Sequence, residues 1–170
     1  MCANLGCGTG LASLAAAKLG AKQVLATDGN DEVVELAKIN IERNQLSSMV
    51  QSTKLQWGIL DASDYINFAD VIIGSDLTYN SGSWRVLAET LSSILKPGGL
   101  FVYLSLGHSG FNVSGEIDGF LSVTQNLGLV ECQNSSLDRL GTLLQKSLTE
   151  DEKMIIEGTG GYRLLLIQKT

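Results

Sequence analysis

Asn4-Leu5-Gly6-Cys7-Gly8-Thr9-Gly10-Leu11 is the stretch on which the reading of this chain turns. It places three glycines, each two residues from the next, between a short apolar run and an Ala/Leu-rich segment. Glycine admits backbone conformations closed to other residues and lets a ligand approach the main chain with no Cβ in the way. A helix beginning at Leu11 would aim its unpaired N–H groups at whatever lies over the loop. The order predicted is therefore strand, nucleotide-cofactor loop at Gly6, Cys7, Gly8 and Gly10, then helix. A dinucleotide fingerprint, G-x-G-x-x-G, would need its third glycine at position 11, which is Leu11, so this loop has the different form G-x-G-x-G. A tight turn with no ligand would use the same glycines, and the rest of the chain must decide between the two.

Outward from the loop, apolar strand-like runs alternate with helical patterns, the sequence form of an α/β domain with a mainly parallel sheet. Cys2 to Leu5 reads as a first strand that is so short as to look truncated, Leu11 to Leu19 as a helix stopped by Gly20, and Gln23 to Thr27 as a second strand. Asp28-Gly29-Asn30 leads into a helix from about Asp31 to Asn44, with Asn30 as N-cap and Asp31 and Glu32 at the positive end of its dipole. Thr53 to Trp57 is the expected third strand, and Asp70 to Ser75 the fourth, apolar on both faces as a central parallel strand is. Trp84, Leu87, Ala88, Leu91, Ile94 and Leu95 recur at helical spacing. Lys96-Pro97-Gly98-Gly99 is expected to end that helix and launch Leu100 to Leu106 as a fifth strand. Ile117, Phe120, Leu121, Thr124 and Leu127 mark another helix closed by Gly128, followed by a sixth strand over Leu129 to Gln133. A helix fits Leu137 to Leu148, and Tyr162 to Lys169 closes the chain as a seventh strand. The whole of residues 1–170 thus reads as one α/β domain around a doubly wound, mainly parallel, Rossmann-like sheet of seven strands. Its ligand should sit at the carboxyl ends of the strands near the switch point.

Composition narrows the function. With 170 residues, 44% apolar and 18% charged, the chain is long enough for one domain with a real core. No run approaches eighteen apolar residues, and Met1-Cys2-Ala3-Asn4 lacks the pattern of a signal peptide, so no membrane partner and a cytoplasmic or nuclear setting are expected. Cys2, Cys7 and Cys132 are odd in number with no C-x-x-C pair, which indicates neither a disulfide framework nor a metal site. Twelve basic against eighteen acidic residues give a net charge of −6 without a Lys/Arg cluster. Nucleic acid is therefore not the expected partner, whereas a basic protein segment or a neutral small molecule suits the field.

Asp28 ends the second strand twenty residues after Gly8, where a carboxylate can accept both hydroxyls of an adenosine ribose. An Asp that only caps the next helix would fall at the same place. Trp57 can lay its indole along an adenine ring or fill the sheet edge. Asp76 and Tyr79 follow the fourth strand, where they can serve the reactive end of a site or cap and begin a helix. His108, the only histidine, falls where the fifth strand should end and reads as a polar loop residue before a base, and Arg85 and Lys96 read as solvated helix charges.

Taken together these residues resemble a known family. Leu5-Gly6-Cys7-Gly8-Thr9-Gly10 is similar to motif I of the class I S-adenosylmethionine-dependent methyltransferases. With Thr27-Asp28-Gly29-Asn30, Leu55-Gln56-Trp57-Gly58, Gly74-Ser75-Asp76-Leu77-Thr78-Tyr79 and Lys96-Pro97-Gly98-Gly99 it resembles the seven-strand, methyltransferase-like group of protein-lysine methyltransferases over nearly its whole length. Asp-x-x-Tyr after the fourth strand and Trp-Gly after the third are the more particular features. Thr27 to Asn30 and Tyr162 to Ile167 look most like the calmodulin-directed branch. The Asn/Asp-Pro-Pro-Tyr of DNA and glutamine methyltransferases would fall here too, but Leu77-Thr78 stands between Asp76 and Tyr79.

The resemblance implies S-adenosyl-L-methionine as cofactor, S-adenosyl-L-homocysteine as product, a lysine-bearing protein as substrate, and a monomer. It implies cofactor contacts at Gly6, Cys7, Gly8, Gly10, Asp28, Gly29, Asn30, Trp57 and Ser75, and catalysis at Asp76 and Tyr79. The lysine amine must arrive uncharged and in line, which proximity, desolvation and the face of Tyr79 can provide. The family also places an acid where this chain has Asn4, and helices and strands upstream of the first strand, so an N-terminal part lacking here is expected. A non-catalytic binding or scaffold domain and a small-molecule methyltransferase are the alternatives at this stage. Calmodulin is itself acidic and would meet an acidic enzyme unfavourably, so the expectation is protein lysine and not a named target.

Overall fold

A computed structural model describes residues 1–58, 65–106, 113–132 and 162–170. Within them the strands are β1 (Cys2–Leu5), β2 (Val24–Asp28), β3 (Val50–Lys54), β4 (Ala69–Ser75), β5 (Leu95–Leu106), β6 (Leu129–Glu131) and β7 (Tyr162–Lys169). The helices are α1 (Leu11–Lys18), α2 (Asp31–Arg43), α3 (Trp84–Ile94) and α4 (Val113–Gln125). The strands form one sheet in the order β3-β2-β1-β4-β5-β7-β6. β1 to β5 run parallel to one another, and β7 is antiparallel to both β5 and β6. This is the expected doubly wound, mainly parallel, Rossmann-like sheet.

The pleat divides the core between two faces, because successive side chains of a strand point to opposite sides. Cys2 joins Val24, Ala26, Leu14 and Ala17 of α1 and Ala37 and Ile41 of α2 in one apolar cluster. Ala3 and Leu5 join Leu25, Leu87, Leu91 and Ile94 of α3 and Ile117 and Phe120 of α4 in the other. Asn4, buried between them in sequence, donates from Nδ2 to Ser13 Oγ at 2.9 Å and so ties β1 to α1.

Local signals place the helix ends where the sequence put them. Asn30 accepts the Glu32 N–H at 2.8 Å as N-cap of α2. α1 closes in a Schellman motif, with Gly20 at φ +101°, its N–H on Ala17 O at 3.0 Å and that of Ala21 on Ala16 O at 3.0 Å.

Two expectations need correction. The third strand is Val50–Lys54 and not Thr53 to Trp57, with register Val24↔Val50 through Asp28↔Lys54. β3 is the sheet edge, so most of its side chains meet water and the sequence there is polar, while apolar Leu55 and Trp57 lie in the turn beyond it. Lys96-Pro97-Gly98-Gly99 lies inside β5 and not before it. Leu95 pairs with Ala69 and Leu100 with Val71, so the tetrapeptide bulges out of the ladder, with Gly98 at φ +77°. The turn chemistry was legible, but the strand resumes its pairing on both sides of it. β6 ends at Glu131, whereas Gln133, His108 and the helix expected over Leu137 to Leu148 lie outside the described residues. No helix among the described residues is long and apolar enough to cross a membrane.

α3 and α4 meet where the Trp84 indole lies on Gly119, and a Cβ at Gly119 would come within 2.4 Å of the ring. Overpacking costs about 1–3 kcal/mol, against the ~1 kcal/mol that Ala gains over Gly inside a helix. Gly119→Ala is therefore expected to lower the urea unfolding midpoint; a raised midpoint would show that the ring has room to move.

Candidate active site

The carboxyl ends of β1 to β4 open onto a cleft of about 520 Å³ at the point where the strand order reverses. Gly6 lines it after β1, Asp28 and Gly29 at the end of β2, Gln56 and Trp57 after β3, and Ser75, Asp76, Leu77 and Tyr79 at the end of β4, with Val86 of α3 closing one side. Seven of the residues expected from sequence therefore meet: Gly6, Asp28, Gly29, Trp57, Ser75, Asp76 and Tyr79. Cys7, Gly8, Gly10 and Asn30 are not among the lining residues, and each has a supporting place instead.

The glycine loop holds Gly6, Gly8 and Gly10 at φ +59°, +53° and +86°, the left-handed region that side chains disfavour. Gly10 precedes α1 and lies against Ala37 of α2. Gly8 donates its N–H to Asp28 Oδ2 at 3.2 Å, and Asn30 donates its N–H to Asp28 Oδ1 at 3.1 Å. A carboxylate offers about four acceptor sites, so each oxygen keeps capacity toward the cleft. Burial, then the charge of Asp28, raises the Cys7 thiol from its ordinary 9.0 to about 11, which keeps it protonated and unreactive in the loop.

On the opposite wall, Asp76 takes φ +53° and donates its N–H to Leu104 O at 3.0 Å. Non-glycine residues held there concentrate at functional sites. Tyr79 is 67% exposed at the cleft mouth, unusual for an aromatic ring.

The sequence matches the family described as lysine methyltransferase over residues 2–109. The chain belongs to that family. Among its relatives are a calmodulin-lysine N-methyltransferase of Arabidopsis thaliana, 38% identical over 97 residues, and a protein-lysine N-methyltransferase, EFM3, of Chaetomium thermophilum, 39% identical over 106 residues. The matches take in 55% and 56% of this chain, and the chain spans about a third of each relative's length, 32% in both cases. Among solved structures, a SAM-dependent methyltransferase from Aquifex aeolicus is superposable with a TM-score of 0.70 at 14% identity, covering 99% of this chain and 81% of that one, which shows a shared fold.

What sequence reasoning missed in this family member is the support behind the wall after β4. Tyr103 of β5, fully buried, takes the N–H groups of Leu77 and Thr78 on its phenolic oxygen at 2.9 and 3.1 Å. Thr78 Oγ1 lies 2.8 Å from that oxygen and donates to Glu116 Oε1 of α4. Trp84 donates from Nε1 to Thr78 O at 2.7 Å. On the wall after β3, the Gly58 N–H donates to Thr90 Oγ1 at 3.0 Å and Val86 fills the place of a Gly58 Cβ. A buried Tyr in an apolar strand reads as core, and nothing local says that its hydroxyl serves a loop 25 residues away. Among the described residues there is no group of three or more His, Cys, Asp or Glu that could hold a metal ion.

Burial also pushes the Tyr103 phenol above its ordinary 10.0. Both Cys7 and Tyr103 hold their protons more tightly folded than unfolded, so the stability they contribute is present at neutral pH; that of Cys7 is lost as pH rises from 9.0 through about 11, and that of Tyr103 declines above its ordinary 10.0. Urea midpoints should hold between pH 7 and 9 and fall from 9 to 11, and Cys7→Ala should flatten the first part of that fall.

Proposed function

We propose that this cleft is the site of an S-adenosyl-L-methionine-dependent methyltransferase whose acceptor is a lysine ε-amine of a protein. The observation that supports it most is the meeting, in one cleft, of a glycine loop, a carboxylate at the end of β2 and Asp-x-x-Tyr at the end of β4.

The residues present fit that cofactor. About 520 Å³ lies within the range of roughly 300–1,000 Å³ common to small-molecule sites. Asp28 has acceptor capacity left on both oxygens for a pair of vicinal ribose hydroxyls. Trp57, half-buried, offers an apolar face to a purine, and Gly6 lets a ligand reach the backbone. Among the described residues the lining carries two carboxylates, Asp28 and Asp76, and no Lys or Arg, a field that favours cationic ligands. Bound there, S-adenosyl-L-methionine supplies a methyl group on a positively charged sulfur, with S-adenosyl-L-homocysteine as the product.

This chain's own residues prepare the acceptor. The face of Tyr79 can hold an incoming ammonium by cation–π attraction. As the amine leaves water beside the ring its charged form is disfavoured and its proton loosened. Asp76 can accept an N–H and fix the nitrogen's direction, and such positioning supplies much of the rate. The relatives' names support a protein lysine as acceptor, and the net charge of −6 favours a basic segment around it over a nucleic acid. A monomer in the cytoplasm or nucleus completes the reading.

Titration calorimetry with S-adenosyl-L-homocysteine should show binding, and labelled S-adenosyl-L-methionine should label lysines in a cell lysate. Two hydrogen bonds to a charged acceptor are worth about 1.5–3 kcal/mol each, so Asp28→Ala should weaken S-adenosyl-L-homocysteine about a hundredfold or more. Tyr79→Ala should leave that affinity nearly intact while labelling falls. No heat from the folded wild-type chain, or methyl transfer to metabolites alone, would sink the proposal.

A further inference from the structure

We propose that Tyr103 is a positioning residue of the methyltransferase site: acting through Thr78 and Glu116, it holds the Asp76–Tyr79 segment in the conformation that receives the acceptor. The inference rests on the reading of the cleft given above and goes beyond it, because Tyr103 is not among the cleft's lining residues.

The hydrogen-bond inventory carries the argument. A phenol has one proton and two lone pairs. Tyr103 receives the N–H groups of Leu77 and Thr78, the two residues between Asp76 and Tyr79, so its lone pairs are committed to that segment. Its proton is left for the hydroxyls around it, Thr78 Oγ1 at 2.8 Å and the side chain of Ser105. The Thr78 hydroxyl donates to Glu116 Oε1, so its proton points away from Tyr103. With its carbonyl taken by Trp84, Thr78 has every polar atom bonded and no exposed surface.

The consequence is an alternation along four residues. Asp76, at φ +53°, and Tyr79, 67% exposed, face the cleft, while between them Leu77 forms part of its floor and Thr78 is locked inside. A left-handed Asp persists only where its surroundings determine it. Here the Asp76 N–H is held by Leu104 O, and the two residues that follow are held by one buried hydroxyl on the same neighbouring strand, backed by a helix: Phe101 stacks on Tyr103 at 5.4 Å, and Glu116 and Gly119 bring α4 against Thr78 and Trp84. Loss of the hydroxyl leaves two buried N–H groups without an acceptor, and a segment that shifts to satisfy them carries Asp76 and Tyr79 with it.

Tyr103→Phe, Thr78→Val and Thr78→Ser in the full chain test this, with far-UV circular dichroism to confirm folding. Tyr103→Phe and Thr78→Val should cut kcat about ten- to a hundredfold, as a small misplacement of catalytic groups does, while the Kd for S-adenosyl-L-homocysteine stays nearly unchanged. Amide exchange at Leu77 and Thr78 should accelerate in Tyr103→Phe with β4 still protected, and Thr78→Ser, which keeps the hydroxyl, should restore kcat. Unchanged exchange at both amides, unchanged kcat, or parallel losses of kcat and cofactor affinity would each overturn the positioning role alone. A wild-type chain that binds no S-adenosyl-L-homocysteine overturns the methyltransferase reading itself, and this role with it.

Discussion

Leu77 rests its two terminal methyl groups on two glycines. A Cβ at Gly6 would lie 2.6 Å from Leu77 Cδ2, and one at Gly74 would lie 2.7 Å from Cδ1. Gly6 follows β1 and Gly74 belongs to β4, neighbours in the sheet at the place where the chain's direction of winding reverses. From there the loop after β1 leaves for α1 on one face, and the loop after β4 leaves for α3 on the other. A crevice between diverging loops is what a switch point produces. Leu77, 5% exposed, forms its floor, and any side chain at either glycine would have to displace it.

The walls that rise from this floor are held by different means. On the β2 side the Asp28 carboxylate gathers the N–H groups of Gly8 and Asn30, so the loop after β1 and the start of α2 are bound through one side chain. The Trp57-Gly58 turn is fastened to α3, where Thr90 Oγ1 accepts the Gly58 N–H and donates to Val86 O at 2.8 Å. The segment after β4 hangs on β5 and α4 through Tyr103 and Glu116. Both helical layers thus contribute to the cleft, although few of their own side chains line it. Asp28 and Asp76, the carboxylates among its described lining residues, give it a negative sign that favours cationic ligands.

Much of this was legible in the chain. Glycines in left-handed conformation, the N-cap at Asn30 and the C′ glycine at Gly20 act over a few residues, so their effect is written in local sequence. Seven expected site residues meet because the sequence spacing placed each at the end of a parallel strand, and parallel strands end on one edge of the sheet. Cys7, Gly8, Gly10 and Asn30, read as cofactor contacts, stand outside the lining as the loop's supports. The edge strand β3 was misplaced by three residues because a strand open to water on one side has no apolar run to announce it. The Lys-Pro-Gly-Gly bulge was mistaken for a boundary because turn residues are the same whether or not pairing resumes beyond them.

The sequence by itself determined the order of strands and helices, the glycine loop, the carboxylate twenty residues downstream and the pairing of Asp76 with Tyr79, since each follows from neighbours along the chain. Only the tertiary structure decided which buried groups hold those residues in place. The Tyr103 hydroxyl finds Thr78 across 25 residues and Thr78 finds Glu116 across 38, and Gly119 matters because an indole from another helix lies on it. Such contacts depend on the packing of strands and helices in three dimensions, where a side chain's partner is set by the register of the sheet and not by its distance in sequence.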